Sequence, residues 1–327
     1  MDTRRLGQGE VRVGAIALGA MGFAGWYGGA DDEAGVRAIQ RALDEGITLI
    51  DTAEVYGRGK SEAMVGRAVR DRRERAVVAT KASQGSPAYL REAIDRSLKH
   101  LGLDYVDLYY LHRVDAEVAI EDSVGAMAEM VRAGKVRAIG LSEAGPETIR
   151  RAHATHPIAA LQTEYSLLQR EPEFELFPLT RSLGITFVAY SPLHRGLLTG
   201  RIRTPADIPD GDWRGKVPRF QGANLAANVA RLAPLEAMAT KKGVSMSSVA
   251  LAWILRKSEN VVPLVGMGRP ENVDRNLEAM RVRLDEAEVT ALDAAFPVGC
   301  AAGLRYPEEA MASLGREAPP KRAPAPR

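Results

Sequence analysis

The stretch from Thr48 to Val69, TLIDTAEVYGRGKSEAMVGRAV, contains one complete unit of a strand, a loop and a helix. An apolar run ends at Asp51, a turn carries Tyr56, and a segment of helical pattern begins at Ser61. We expect Ser61 to cap this helix and Glu62 to lie in its first turn, where the helix dipole favours a carboxylate. Repetition of this unit along the chain decides the fold.

The triplet GKS at residues 59–61 raises the question of a phosphate-binding loop. A Walker-type loop needs G-x-x-x-x-G-K-[ST], because its first glycine lets successive backbone N–H groups surround the phosphates. That glycine would fall at position 54, which is Glu54, and a carboxylate there would repel a phosphate. The spacing argues against this type of loop and leaves Asp51 and Tyr56 as the polar groups of interest.

The same unit recurs along the whole chain. Segments of helical period alternate with eight short apolar runs: VGAIALG, ITLIDTA, AVVATK, VDLYYLHR, VRAIGLSE, AALQTEYSL, ITFVAYSPL and VVPLVGM. Alternating strands and helices imply parallel strands, in an open doubly wound sheet or a closed (β/α)8 barrel. There are eight such units, and no segment has a composition that suggests a second domain. This favours the barrel, which is an α/β fold. The opening RRLGQGEVRVG predicts a β-hairpin that closes the bottom of the barrel.

These units predict a single domain over residues 1–310. Residues 311–327, which end in APPKRAPAPR, predict a flexible C-terminal tail because they are rich in Pro and Ala. A second unusual segment, from Leu193 to about Gly222, is rich in Gly, Pro and Arg. Long loops in compact domains are usually functional, so we expect this loop to contribute to a site.

The composition excludes several classes of protein. The chain has 327 residues and a net charge of +2, and its basic residues are scattered beside acids, which argues against a nucleic-acid partner. A single cysteine, Cys300, excludes an internal disulfide and suits a reducing compartment. The uncharged stretch Val13–Ala30 holds six glycines, which predicts a strand and a loop rather than a membrane helix. We expect a soluble cytoplasmic protein with no membrane partner.

Active sites of such barrels form at the carboxyl ends of the strands, so the polar residues that end the apolar runs are the candidates. These residues are Asp51, Lys81, His112, Ser142, Glu143, Gln162, Tyr190 and Ser191. A lysine that ends AVVATK would point into the barrel mouth, where a lone ammonium is costly unless it is paired. Asp51 on the adjacent strand can supply the partner.

Tyr56 can reach the same position from its loop. A nearby Lys81 ammonium is expected to lower the pKa of Tyr56 from its usual value of about 10, which would make it a better proton donor at neutral pH. His112 on the next strand can orient a carbonyl group. Each residue alone could be a helix cap, a rim charge or a core histidine, but together they predict a carbonyl-polarising acid site.

Several motifs resemble, in order, the signatures of the aldo-keto reductases: DTAEVYG, ATK, LYYLHR, GLSEAG, LQTEYS and AYSPLHRGLLTG. The resemblance covers nearly the whole chain and is strongest to the bacterial and plant members that carry GLSEA and AAGLRYPE. It implies a (β/α)8 barrel that reduces aldehydes and ketones with NADPH, without metal or flavin. It also implies that Tyr56 is the proton donor, Lys81 the lysine that lowers its pKa, Asp51 the paired carboxylate and His112 the orienting histidine.

The resemblance further implies where the cofactor binds. The nicotinamide amide would be held by Ser142 and Gln162 and its ring would stack on Tyr190, with the pyrophosphate under the loop 191–198 and the 2′-phosphate at 266–276. The full set of expected contacts is Met21, Gly22, Asp51, Ser142, Gln162, Tyr190, Ser191, Pro192, Leu193, Gly196, Leu198, Gly266, Met267, Arg269, Asn272 and Asn276.

Two residues depart from many relatives at the 2′-phosphate end. Met267 stands where they carry serine or threonine, and Asn272 where they carry arginine. We expect Arg269 to supply the missing phosphate contact, because a guanidinium pairs bidentately with phosphate. NADPH would then be preferred, with weaker discrimination against NADH.

The substrate pocket is expected to be open, because KASQGSPAYL enters the next helix after a short loop. Its predicted contacts are Trp26, Tyr56 and His112, with Tyr27, Trp213 and the tail around Tyr306 as further walls, although Trp26 and Trp213 could equally be loop packing.

Two other functions are compatible with parts of this pattern. A Schiff-base aldolase could use Lys81, but that chemistry needs a desolvated lysine or one crowded by cations, and Asp51 would keep it charged. An NADPH-binding regulatory module, resembling the potassium-channel β subunits, could retain the same four residues. No metal site is expected, and the sequence leaves the substrate and oligomeric state open.

Overall fold

The computed structural model describes residues 2–26 and 31–321. Its strands are β1 (Thr3–Arg5), β2 (Arg12–Gly14), β3 (Ala17–Gly19), β4 (Leu49–Asp51), β5 (Val77–Ala82), β6 (Val106–Leu111), β7 (Val136–Ser142), β8 (Ile158–Glu164), β9 (Thr186–Tyr190) and β10 (Val261–Gly266). The last eight are parallel and form a closed barrel in the order β10-β3-β4-β5-β6-β7-β8-β9. The predicted (β/α)8 barrel is confirmed.

The helices surround this barrel. They are α1 (Asp32–Asp44), α2 (Lys60–Val69), α3 (Pro87–Leu101), α4 (Ile120–Arg132), α5 (Pro146–Thr155), α6 (Leu176–Ser182), α7 (Gly222–Ala230), α8 (Ala233–Lys242), α9 (Met246–Lys257), α10 (Pro270–Leu277), α11 (Glu286–Ala295) and α12 (Glu308–Met311). Consecutive helices α1 to α5 contact one another, and α1 also contacts α10. Their apolar faces and the outer faces of the strands form the main core, while a smaller apolar cluster fills the barrel.

The N-terminal hairpin closes the bottom of the barrel, as predicted. β1 and β2 pair antiparallel, and Leu6 and Val13 pack into the apolar cluster inside the barrel. Gly7 lies against the beginning of β8, where an added Cβ would come within 2.7 Å of the Ala159 Cα. Its N–H donates to Thr186 Oγ1 at the start of β9. The hairpin therefore contacts the amino ends of the strands and leaves their carboxyl ends open.

The predicted cap of α2 is wrong. The helix begins at Lys60, and Gly59 precedes it with a φ of +89° that favours glycine. A Cβ at Gly59 would also lie 2.4 Å from His100 Nδ1. Ser61 is fully buried, and its hydroxyl accepts a hydrogen bond from Thr52 and donates to the Ala20 carbonyl, because its helical position faces the barrel rather than the helix end.

The C-terminal segment still packs on α5 beyond residue 311, where the predicted flexible tail begins. Glu317 accepts hydrogen bonds from the backbone N–H groups of Glu147 and Thr148, in the first turn of α5. Ala318 is buried and donates to Thr148 Oγ1. Because α5 has no side-chain cap of its own, Glu317 supplies one from the tail. Residues 322–327 lie outside the described part of the chain.

The uncharged stretch after Val13 forms β3 and a 3₁₀ turn over Met21–Ala24, as far as it is described. Within residues 2–26 and 31–321, no helix is long and apolar enough to cross a membrane.

Candidate active site

A cavity of about 810 Å³ opens at the carboxyl ends of the barrel strands. Polar side chains of β4, β7, β8 and β9 and of the residues that follow β6 line it, because the carboxyl ends of parallel strands meet at one mouth. The predicted residues that line it are Met21, Gly22, Trp26, Asp51, Tyr56, His112, Ser142, Gln162, Tyr190, Ser191, Pro192, Leu193, Gly196, Gly266, Met267, Arg269, Asn272 and Asn276.

A buried ion pair lies at the base of this cavity. Lys81 Nζ donates to Asp51 Oδ1 and, at 2.7 Å, to the carbonyl oxygen of Thr52. The other carboxylate oxygen of Asp51 accepts a hydrogen bond from Gln162 at 2.9 Å. Burial raises the pKa of Asp51 and lowers the pKa of Lys81, and the attraction between the two charges opposes both changes. The predicted pairing is present, with Lys81 beneath the cavity rather than in its wall.

Tyr56 lies directly above this pair. Lys81 Nζ is 5.0 Å from the centre of its ring. Its hydroxyl makes no hydrogen bond to the described part of the chain, so it can bind a ligand in the cavity. The predicted lowering of its pKa is wrong: burial raises the pKa of Tyr56 above its ordinary value, and the Asp51 charge raises it further. Asp51 offsets the Lys81 charge, which the sequence argument had counted alone.

His112 completes the group. Its ring packs edge-on against Tyr56 with 5.8 Å between ring centres. Burial lowers the pKa of His112 well below its ordinary value, and the positive charges of Arg113 and Lys81 lower it further. The N–H of a neutral His112 ring and the Tyr56 hydroxyl, which has no partner in the described part of the chain, can both donate a hydrogen bond to one ligand oxygen.

The loop after β9 borders one side of the cavity in a strained conformation. Ser191, His194 and Arg195 have φ angles of 49–53°, which cost about 1–3 kcal/mol each for residues with a Cβ. The two terminal nitrogens of Arg195, Nη1 and Nη2, donate to the two carboxylate oxygens of Glu164 at 3.0 Å, and the pair is buried. This bidentate contact holds the loop, from which Ser191, Arg195 and Gly196 reach the cavity.

An aromatic wall closes the inner end of the cavity. Trp26 and Trp213 contact each other with 6.4 Å between ring centres, and Trp213 lies 5.5 Å from Tyr306. The Tyr306 hydroxyl is 3.0 Å from that of Tyr190. Both tryptophans therefore line the cavity while also packing on each other. The further predicted wall residue, Tyr27, lies outside the described residues.

Comparison with known proteins identifies the family. The model of the aldo/keto reductase family matches residues 15–296. The chain belongs to this family. The family match supports an oxidoreductase.

Similar aldo/keto reductases occur in plants and fungi. The chain is 41% identical over 315 residues to "Probable aldo-keto reductase 1" of Glycine max, covering 92% of this chain and 91% of that one. It is 37% identical to "Aldo-keto reductase yakc [NADP(+)]" of Schizosaccharomyces pombe, covering 98% of both.

Solved structures share the fold. The glycerol dehydrogenase AKR11B4 of Gluconobacter oxydans has a TM-score of 0.83 at 32% identity, over 90% of this chain and 94% of that one. An aldo-keto reductase of Klebsiella pneumoniae in complex with NADPH has a TM-score of 0.74 at 28% identity, over 91% and 96% of the two chains.

The cavity of this aldo/keto reductase fits a dinucleotide. Ser142 and Gln162 present polar groups at the ends of β7 and β8, and Tyr190 presents a ring at the end of β9. At the opposite, outer end, Arg269 and Arg275 of the α10 region provide positive charge for a phosphate. One predicted contact does not reach the cavity: Leu198 is fully buried in the main core, and its N–H is bonded to the Leu193 carbonyl.

Several cavity residues were missed by the sequence argument, which counted only strand ends and the family's motifs. They are Arg113, Thr199, Arg201, Arg214, Ser245 and Ser247, while Arg275 lies within the predicted segment 266–276 but was not named as a contact. Arg113 directly follows His112 in LYYLHR, and this position is the signal that could have found it.

Arg305 was also missed. It donates to Glu143 Oε1 at 2.6 Å and to Glu164 Oε2 at 3.2 Å, and so joins the C-terminal segment to the ends of β7 and β8. The next residue is Tyr306 of the aromatic wall. The Arg305 side chain therefore positions that wall, and the AAGLRYPE motif was its signal.

Proposed function

We propose that this protein reduces aldehydes and ketones to alcohols with NADPH, and that Tyr56 is the proton donor. One observation carries the proposal: the Tyr56 hydroxyl and the His112 ring face the same cavity, and neither is hydrogen-bonded to the described part of the chain. The buried Asp51–Lys81 pair lies directly beneath them.

NADPH, when bound, supplies the hydride that the carbonyl carbon receives. Ser142 and Gln162 would hold its amide, Tyr190 would stack on its nicotinamide, and Arg269 with Arg275 would bind its 2′-phosphate. The S. pombe relative is named for NADP(+) and the Klebsiella structure contains NADPH, which supports this choice.

Tyr56 delivers its proton to the carbonyl oxygen as negative charge develops there. Its raised pKa keeps the phenol protonated throughout the working pH range, so a donor is always present. The Lys81 ammonium, 5.0 Å from the ring centre, stabilises the phenolate left after transfer. Asp51 and the Thr52 carbonyl keep Lys81 charged and in place.

His112 orients the substrate. Because its pKa is lowered, the ring is neutral and donates one N–H to the carbonyl oxygen without competing with Tyr56 as an acid. The aldolase alternative is disfavoured because Lys81 is paired with Asp51 and does not line the cavity, so a substrate carbonyl there does not meet its Nζ.

The proposal is tested by NADPH oxidation at 340 nm with 4-nitrobenzaldehyde, for the wild type and for Tyr56→Phe. Loss of general acid catalysis is expected to lower kcat by about 10²–10⁴-fold. NADPH binding, followed by fluorescence titration, should persist in the variant. A Tyr56→Phe variant with wild-type kcat would contradict the assignment, and tight NADPH binding by a wild type that reduces no carbonyl would favour a regulatory role.

A further inference from the structure

Arg113 differs from the other arginines that surround the inner end of the cavity. Arg195 is paired with Glu164, Arg214 with Asp212, and Arg305 with Glu143 and Glu164. Arg113 lines the cavity, yet no carboxylate of the described residues lies within ion-pair distance of it.

The position of this guanidinium is nevertheless well determined. Its Nη1 donates to the His112 carbonyl at 2.6 Å and to Ser142 Oγ at 3.1 Å. Its other N–H groups have no acceptor in the described part of the chain. Glu143, a nearby carboxylate, already binds Arg305. Arg113 is partly buried, and a cation in a cavity wall that has no carboxylate in direct contact is stabilised when a ligand supplies the opposite charge.

The phosphate groups of a cofactor are expected elsewhere, with the pyrophosphate at the loop 191–198 after β9 and the 2′-phosphate at residues 266–276 after β10. Arg113 follows β6, whereas Arg269 and Arg275 follow β10. These two strands are four positions apart in the eight-strand barrel and so lie on opposite sides of its mouth. The neighbour that Arg113 does touch, Ser142, is expected to face a neutral amide, which needs no cation.

The surroundings of Arg113 indicate what else the ligand contains. Its neighbour in the chain, His112, faces Tyr56 at the point where the carbonyl oxygen is expected. Trp26, Trp213 and Tyr306 line the same cavity and contact one another in turn, which favours a flat apolar body. A guanidinium matches a carboxylate through two parallel hydrogen bonds.

We infer that Arg113 binds a carboxylate of the substrate, so that the preferred substrates are aromatic carbonyl compounds bearing a carboxylate close to the reacting carbon. The inference rests on the proposed function, since it names the class of carbonyl that the site reduces. The carboxylate itself is unchanged: NADPH would supply a hydride and be oxidised to NADP+, the new C–H bond forms at the carbonyl carbon as the carbonyl π pair moves to oxygen, and that oxygen takes the Tyr56 proton.

The test compares matched charged and neutral substrates. The ratio of kcat/KM for phenylglyoxylate to that for methyl phenylglyoxylate is measured in the wild type, Arg113→Met, Arg113→Lys and the control Arg150→Met, an exposed arginine on α5. The ratio is expected to fall at least tenfold in Arg113→Met, to be partly restored by lysine and to stay at the wild-type value in the control. A ratio that is the same in Arg113→Met as in the wild type overturns the inference.

Binding measurements separate this inference from the proposed function. With NADP+ present, quenching of tryptophan fluorescence reports the dissociation constants of mandelate and of neutral mandelamide. Tighter binding of mandelate that is lost in Arg113→Met would support the inference even if no carbonyl were reduced, in which case only the proposed function would fail. Binding of mandelate no tighter than mandelamide by the wild type would overturn the inference even if neutral aldehydes were reduced.

Discussion

At the scale of single residues, the proposed chemistry depends on the opposite charges of Lys81 and Asp51. Lys81 and Asp51 are both buried and form a direct salt bridge, so Tyr56 lies beside a pair of opposite charges rather than a lone ammonium. Its pKa is therefore raised by burial in the resting protein. In the proposed mechanism the ammonium acts when the proton leaves, because only then is there a phenolate to stabilise.

This arrangement allows stability and catalysis to be separated. Lys81→Met should destabilise the protein by about 3–5 kcal/mol, because it leaves Asp51 buried without its partner. Adding Asp51→Asn removes that unpaired charge and should recover most of the loss. The kcat of the double variant should stay at least a hundredfold below that of the wild type, since the ammonium 5.0 Å from the centre of the Tyr56 ring is gone. Thermal unfolding and steady-state kinetics measure the two effects, and a double variant with wild-type kcat would refute this role of Lys81.

The state of His112 sets the pH dependence. Its pKa is lowered by burial, Arg113 and Lys81, so the ring gains a proton only when the pH falls well below its ordinary value of about 6.5. With a neutral aldehyde, kcat should show no step between pH 6 and 8. Arg113→Met removes one repelling cation, which should raise the pKa and move the acid limb of the profile upward. An acid limb centred near pH 6.5 in the wild type would contradict this.

The sequence predicted which residues meet but not how their charges balance. Asp51, Lys81 and His112 end consecutive strands, and the barrel necessarily brings them together. The direction of the Tyr56 pKa was wrong because desolvation and the Asp51 charge depend on the packed structure. Arg113 was missed for a similar reason, since its lack of a counter-ion is visible only when every neighbouring carboxylate has been located.

At the scale of elements, long-range side-chain contacts hold the segments that border the site. Arg305 ties the C-terminal segment to the ends of β7 and β8, and Glu164 ties the same region to the strained loop through Arg195. The pKa of Glu164 is held far below its ordinary value against the effect of burial, because Arg195 and Arg305 both face it.

Breaking this connection should affect both stability and substrate binding. Arg305→Leu leaves Glu143 without its partner, which is expected to cost about 3–5 kcal/mol. The KM for a carbonyl substrate should rise more than the KM for NADPH, because Tyr306 of the aromatic wall directly follows Arg305 in the chain. Lys321→Met, at an exposed pair on the same segment, is the control and should change neither value. An unchanged thermal midpoint in Arg305→Leu would show that the contact is not structural.

The element boundaries were less predictable than the elements. The strand runs were recognised from their apolar pattern, but the start of α2 was placed at Ser61 because a serine is a good cap. Gly59 takes that position instead, since His100 leaves no room for a Cβ there. The tail boundary was set by composition, which does not reveal that Glu317 caps α5.

At the scale of the whole molecule, the barrel separates two cationic regions. Arg269 and Arg275 lie on the β10 side and Arg113 lies on the β6 side, with Tyr56 and His112 toward the latter. One ligand spanning the mouth can thus be fixed at its phosphate end while its reactive end meets a substrate held separately. Eight repeated units were enough to predict this architecture. The location of the two cationic regions on opposite sides of the mouth could be recognised only from the strand order.

The outer region should determine cofactor preference. Wild-type protein is expected to prefer NADPH, and Arg269→Ala should raise the KM for NADPH at least tenfold with little change for NADH, since only NADPH carries the 2′-phosphate. Asn272→Arg should increase the preference for NADPH over NADH. Arg281→Ala, an exposed change beyond the end of α10, is the control. Equal efficiency with both cofactors, unaffected by Arg269→Ala, would rule out this assignment.

The most direct test of the central claim follows the transferred atoms. NADPH deuterated at nicotinamide C4 is mixed with 4-nitrobenzaldehyde and either wild-type protein or Tyr56→Phe, and the alcohol is analysed by mass spectrometry. Direct hydride transfer with Tyr56 as acid predicts deuterium at the alcohol carbon with the wild type, and formation of the same labelled alcohol at least a hundredfold more slowly with Tyr56→Phe. Alcohol without deuterium, or equal rates for the two proteins, would contradict the claim.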